Sequence, residues 1–100
     1  MFTTIRNYPG NSELLDGLIA HESEVKSLIG GIEGFQGYFL LRTADGGATS
    51  ISVFDTPAGA DESTRVAAAW LAENLPDVSV SPPQIIIGEV VIEARPGVPA

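Results

Sequence analysis

Apolar and polar positions alternate with a period of two, then of about 3.6, and this change of period divides the chain into elements. Phe2 to Tyr8 is β-prone and stops at Pro9-Gly10, a turn signal that hands over to Asn11 or Ser12 as a helix N-cap. From Glu13 the residues Leu14, Leu18, Val25, Leu28, Ile29 and Ile32 recur at helical spacing, and Gly30-Gly31 closes the run. The spacing predicts one helix over residues 12–29. Phe35 to Arg42 and Ala48 to Asp55 read as strands joined through Asp45-Gly46-Gly47, the chemistry of a hairpin turn. Thr56-Pro57 reads as an N-cap followed by proline at the first helical position, and the alanine-rich stretch from Ala58 predicts a second helix ending near Asn74. After a connector with Pro82-Pro83, the run Gln84 to Ile92 is β-branched and almost continuously apolar. It predicts a fourth strand with the character of a sheet interior.

The order β-α-β, β-α-β predicts an α+β, ferredoxin-like βαββαβ domain over residues 1–93, followed by a disordered or extended tail from Ala94 to Ala100. Four antiparallel strands would carry both helices on one face. The period-two rule sets Phe35, Phe39 and Leu41 opposite Tyr38 and Leu40, and Ile85, Ile87 and Val91 opposite Ile86, Val90 and Ile92. Two helices cover one face only, so a second copy packed sheet against sheet is expected, giving a homodimer.

Composition narrows the partners. One hundred residues leave room for one core, and 44% hydrophobic against 18% charged residues is the balance of a chain that folds. The net charge is −8, and the five cations Arg6, Lys26, Arg42, Arg65 and Arg95 are scattered. Such a surface repels phosphate backbones and anionic membranes, which excludes nucleic acid and leaves small neutral or weakly charged ligands. The absence of cysteine rules out disulfides, thiolate metal sites and a cysteine nucleophile. Met1 to Tyr8 lacks a secretion-signal pattern and no apolar run reaches membrane-spanning length, so a cytoplasmic protein is expected.

Candidate chemistry centres on His21. A continuous helix would place it between Leu14, Leu18, Val25 and Leu28, pointing at the sheet. Gly17, one turn earlier on that side, is costly in mid-helix and marks either close approach or open space. Together they suggest a cavity in which His21 removes a phenolic proton; the competing reading is a buried, hydrogen-bonded core histidine. Trp70 falls at the flank of the second helix's apolar stripe, as a pocket wall or an aromatic plug, and Tyr38 and Tyr8 carry the same two readings. Asp55, Asp61 and Glu62 are explained by the helix start better than by a metal, and Gly30-Gly31 with Gly34 follows a helix and precedes a strand, the reverse of a phosphate loop.

The stretch Ile32-Glu33-Gly34-Phe35-Gln36-Gly37-Tyr38, followed by a hairpin and Ser52-Val53-Phe54-Asp55, resembles the antibiotic biosynthesis monooxygenase family. The resemblance covers nearly the whole chain and implies a dimeric α+β barrel. It also implies a range of activities: cofactor-independent oxygenases of phenolic polyketides or quinol-type compounds, heme-degrading enzymes, and proteins without assigned activity. The heme-degrading branch has an asparagine on the first strand, a tryptophan on the second helix and a histidine after it. Asn7 and Trp70 match loosely, but Asp77, Val78, Ser79 and Val80 stand where the histidine would fall. The resulting expectation is a monooxygenase with no cofactor and no metal, acting on a small aromatic compound. His21 and Asn7 would be catalytic, and Trp70, Tyr38 and Gly17 would bind the substrate. The other expectation is a non-catalytic dimeric module that binds a small ligand or none.

Overall fold

The computed structural model describes residues 1–97. Its elements are β1 (Phe2–Tyr8), α1 (Ser12–Ala20), α2 (Glu22–Gly30), β2 (Phe35–Arg42), β3 (Ala48–Phe54), α3 (Pro57–Asn74) and β4 (Gln84–Glu89). The four strands form one antiparallel sheet in the order β2-β3-β1-β4, the ferredoxin-like arrangement. Local chemistry sets the boundaries. The Asn11 side chain accepts from Leu14 N–H at 3.1 Å, and Thr56 Oγ1 accepts from Gly59 N–H at 3.2 Å, each satisfying an N–H that the first helical turn leaves free. In the hairpin turn, Asp45 Oδ1 accepts from Gly47 N–H at 2.9 Å and from the Thr43 hydroxyl. These donors, Thr43 foremost, hold the Asp45 carboxyl below its usual range. Gly47 is required there, because a Cβ would stand 2.5 Å from Gly10 N and Tyr8 O.

Three of the expected features differ. The single helix over 12–29 is two, broken at His21, whose backbone sits at φ −109°, ψ 32°. α1 buries Leu14 and Leu15 while α2 buries Val25 and Ile29, so the break lets each segment turn its own apolar residues to the core. The face assigned to Phe35 is reversed. A β-bulge between Phe35 and Gly37 shifts the register, so Phe35 packs under the helices against Phe54, while Phe39 beyond the bulge points away. Finally, β4 is an edge strand with every residue exposed, and it ends at Glu89 instead of Ile92. Its pairing with β1 ends at Phe2–Glu89, followed by one further backbone bond in which Val90 N–H donates to Met1 O. Residues 90–95 form neither helix nor strand, and residues 98–100 of the expected tail lie outside the described residues.

Alternation along the strands divides the sheet into two faces. Thr4, Arg6 and Tyr8 of β1 and Ala48, Ser50, Ser52 and Phe54 of β3 lie beneath the helices. On the opposite face the register aligns Phe39, Ile51, Ile5 and Ile86 into one apolar row across all four strands. Phe39 is 61% and Ile86 64% exposed. No described helix is long and apolar enough to cross a membrane.

Candidate functional site

The space between helices and sheet is not uniformly apolar. One core cluster holds Tyr8, Leu14, Leu15, Ala48 and Leu71; the other holds Ile29, Phe54 and Ala60. Between them runs a polar band to which β1 gives Thr4 and Arg6, β3 gives Ser50 and Ser52, and α3 gives Ser63, all buried. Tyr38 borders it from β2, where it is the register partner of Ser52.

Arg6 is the centre of the band. It is 2% exposed, and its guanidinium is held by hydroxyls: Nη1 donates to Ser63 Oγ at 3.0 Å and to Thr64 Oγ1 at 3.3 Å, and Nη2 donates to Ser52 Oγ at 3.2 Å. Ser63 in turn donates to Ala60 O at 2.6 Å, which leaves its lone pairs for Arg6. None of the ion pairs among the described residues involves Arg6. Burial lowers its pKa from the usual arginine value, opposed by the neighbouring Tyr8 and Tyr38. Burial also pushes both tyrosine phenols up, against the pull of Arg6, so they stay protonated donors.

Two cavities meet at Arg6, Tyr8 and Leu71. The larger, about 530 Å³, lies between α3, the connector 76–83 and β4. Its polar end is Arg6, Tyr8 and Thr64; its walls include Ala68, Leu75, Val78, Val80, Pro82 and Ile85. That volume falls within the roughly 300–1,000 Å³ of small-molecule sites, and the mixture of apolar wall and few polar groups is theirs too. The smaller, about 30 Å³, lies behind, lined by Arg6, Tyr8, Tyr38, Ser50 and Trp70 among others. Ser50 Oγ is buried there without a hydrogen-bond partner.

The sequence-predicted site residues are not brought together. Trp70 and Tyr38 border the small cavity. Asn7 is on the opposite face of the sheet, because Arg6 and Tyr8 on either side of it point under the helices. Its amide donates to Gln84 Oε1 at 3.0 Å and accepts from Thr49 Oγ1 at 2.8 Å. His21 lines neither cavity. The break between α1 and α2 takes it off the inner stripe; its side chain is 36% exposed, its Nδ1 is 3.3 Å from Glu24 Oε1, and its ring meets Trp70 edge-on at 5.4 Å. Gly17 leaves no open space: a Cβ there would stand 2.8 Å from Leu75 Cδ1, so it marks close approach of α1 to the end of α3. Arg6 was missed. Its signal is an arginine alternating with Thr4 and Tyr8 on the face that must be buried, the position where a charge is least expected.

A histidine-ligated heme does not fit these residues. Val78 and Val80 wall the larger cavity where the ligand would be sought, and the one histidine of the chain is turned away at a helix junction.

No family model and no curated protein matches the chain. Solved structures do. A putative antibiotic biosynthesis monooxygenase from Nitrosomonas europaea superposes with a TM-score of 0.69 at 12% identity, over 92% of this chain and 100% of that one. A mutant of MhuD with two manganese protoporphyrin IX molecules bound per active site gives 0.68 at 18% identity, over 95% and 99%. The ActVA-Orf6 monooxygenase of Streptomyces coelicolor, in complex with nanaomycin D, gives 0.62 at 16% identity, over 92% of both chains. The chain therefore has the fold of the antibiotic biosynthesis monooxygenases along nearly its whole length.

Proposed function

We propose that the chain is a cofactor-independent monooxygenase of a small phenolic or quinol-type compound bound in the 530 Å³ cavity. The observation that carries this reading is the cavity itself, a largely apolar cleft, open on one side, that ends at Arg6, Tyr8 and Thr64. Its place in a fold shared with ActVA-Orf6, solved with nanaomycin D, supports an aromatic occupant. An ionised phenol is electron-rich enough to reduce dioxygen at a ring carbon. A C–O bond forms there to give a hydroperoxide, and loss of water with that carbon's proton leaves a carbonyl. One oxygen atom ends in the quinone and the other in water, so phenol and dioxygen give quinone and water without another reductant. The protein's part is to exclude bulk water, hold the ring and stabilise its charge.

Oxygen uptake with a panel of phenols and quinols, with no metal or cofactor added, tests this. Consumption of one dioxygen per quinone formed is expected. A panel-wide absence of uptake, with ligands still binding, would give the site to the second reading, a non-catalytic binding module.

The same reading makes the protein a homodimer, its two sheets packed through the row Phe39, Ile51, Ile5 and Ile86. The exposure of Phe39 and Ile86 supports it. Light scattering is expected to give twice the chain mass of 10.5 kDa.

A further inference from the structure

We propose that Arg6 is the counter-ion for an ionised oxygen of the ligand, so that an aromatic substrate is held in the helix–sheet cavity as its phenolate. The inference rests on the reading of that cavity as the substrate site and adds what the site selects. A guanidinium 2% exposed has given up nearly all its hydration, and three bonds to neutral hydroxyls orient it without neutralising it. Hydrophobic packing gives no reason for a charge at this position. Among the described residues, Arg6, Tyr8 and Tyr38 are the only titratable groups lining the two cavities. In a chain of net charge −8 the site thus holds one positive charge and no negative one. The surface carboxylates act on it weakly, because salt screens exposed charges over about 10 Å.

The donors around Arg6 suit an oxyanion. The Tyr8 phenol borders both cavities and the Tyr38 phenol the smaller one, and each is kept protonated. Ser50 Oγ, in a residue 4% exposed, is buried with its hydroxyl uncommitted and faces the same small cavity as Arg6. A phenolate oxygen at the end of the large cavity would meet Arg6 and Tyr8 while its ring lies along Leu71, Leu75 and Val78. Charge on that oxygen would be stabilised before dioxygen arrives, and its proton would leave to solvent as the ligand binds. No side-chain base is then needed, which fits the exclusion of His21 from the cavities.

The test uses 4-nitrophenol, whose phenolate alone absorbs in the visible, with 4-nitroanisole as its neutral ether and 4-nitrobenzoate as a carboxylate of similar size. Bound to the wild-type chain, 4-nitrophenol is expected to ionise about 1 to 3 pH units below its free midpoint, the effect of an opposite charge at close range. The ether is expected to bind at least about tenfold more weakly, one such unit expressed as affinity. Arg6→Met should abolish the shift, Arg6→Lys should keep part of it, and Tyr8→Phe, which removes the other donor at that end of the large cavity, should weaken phenolate binding without affecting the ether. If Arg6→Met does not fold, the wild-type comparison of phenol with ether and the Tyr8→Phe variant decide the matter. Equal binding of ether and phenol, or an unshifted midpoint, would overturn the role of Arg6 and leave the cavity standing as a ligand site. Tighter binding of the benzoate than of the phenolate would overturn the phenolate assignment. Binding of none of the three would overturn the cavity reading together with this one.

Discussion

Replacing Phe39 by serine separates the association of two chains from the folding of one. Phe39 points away from the helices and is 61% exposed in the single chain, so its loss removes little packing from the protomer. A phenylalanine can bury about 200 Å², so the free part of this ring is about 120 Å². At about 25 cal/mol per Å², covering it contributes about 3 kcal/mol per protomer. A two-fold interface contains the residue twice, so the variant should lose about 6 kcal/mol of dimer stability, about a 10⁴-fold weaker association. This is an upper figure, because serine keeps some contact and association has its own entropic cost. Sedimentation or light scattering over a dilution series reads the dissociation constant. Thermal unfolding at concentrations where both proteins are monomeric reads the protomer, and is expected to change by less than about 1 kcal/mol. An unchanged dissociation constant would refute the sheet-to-sheet interface, and so would a wild-type chain that stays at 10.5 kDa throughout. A large loss of protomer stability would show instead that Phe39 is packed within its own chain.

Burial raises the pKa of Tyr8 and Tyr38, so folding favours their neutral forms. The stability this gives is full below the ordinary tyrosine value near 10 and is lost as pH climbs from there through the raised folded values, at up to about 1.4 kcal/mol per pH unit for each group. Urea unfolding followed between pH 8 and roughly 11 should show that decline, and absorbance should show both phenolates appearing late. His21→Ala should cost no more than about 1.5 kcal/mol, the worth of its ring contact with Trp70 and its exposed pairing with Glu24, and should leave oxygen uptake within about twofold; abolished uptake would restore His21 as a base. Leu71→Ala removes a buried side chain shared by both cavities and should destabilise the chain by about 2 to 5 kcal/mol in chemical denaturation. Hemin is expected to give no histidine-ligated Soret band, and a band that disappears in His21→Ala would contradict the placement of that residue.

Much of the fold was legible because local chemistry determines it. Pro9-Gly10, the caps at Asn11 and Thr56, and the Asp45-Gly46-Gly47 turn each act within a few residues, so strand and helix boundaries at those places follow from the chain alone. The excess of apolar residues on two faces was legible for the same reason, since alternation along a strand is local. What failed depended on partners distant in sequence. A continuous helix carries His21 inward, but the helix is broken at His21 and each half packs its own apolar residues. Alternation carries Phe35 outward, but a bulge against β3 turns it in. The length of β4 depended on its register with β1, which ends where Phe2 pairs with Glu89, a residue 87 positions away in the chain. The candidate site lies at the far end of this scale. The sequence by itself determined the four strands, the helix from Pro57 to Asn74, their order and the excess of apolar residues on two faces. Only the tertiary structure decided that Arg6, Tyr8, Tyr38 and Ser50 share one band while Asn7 and His21 lie outside it, because a buried charge is defined by what four separate elements bring to it.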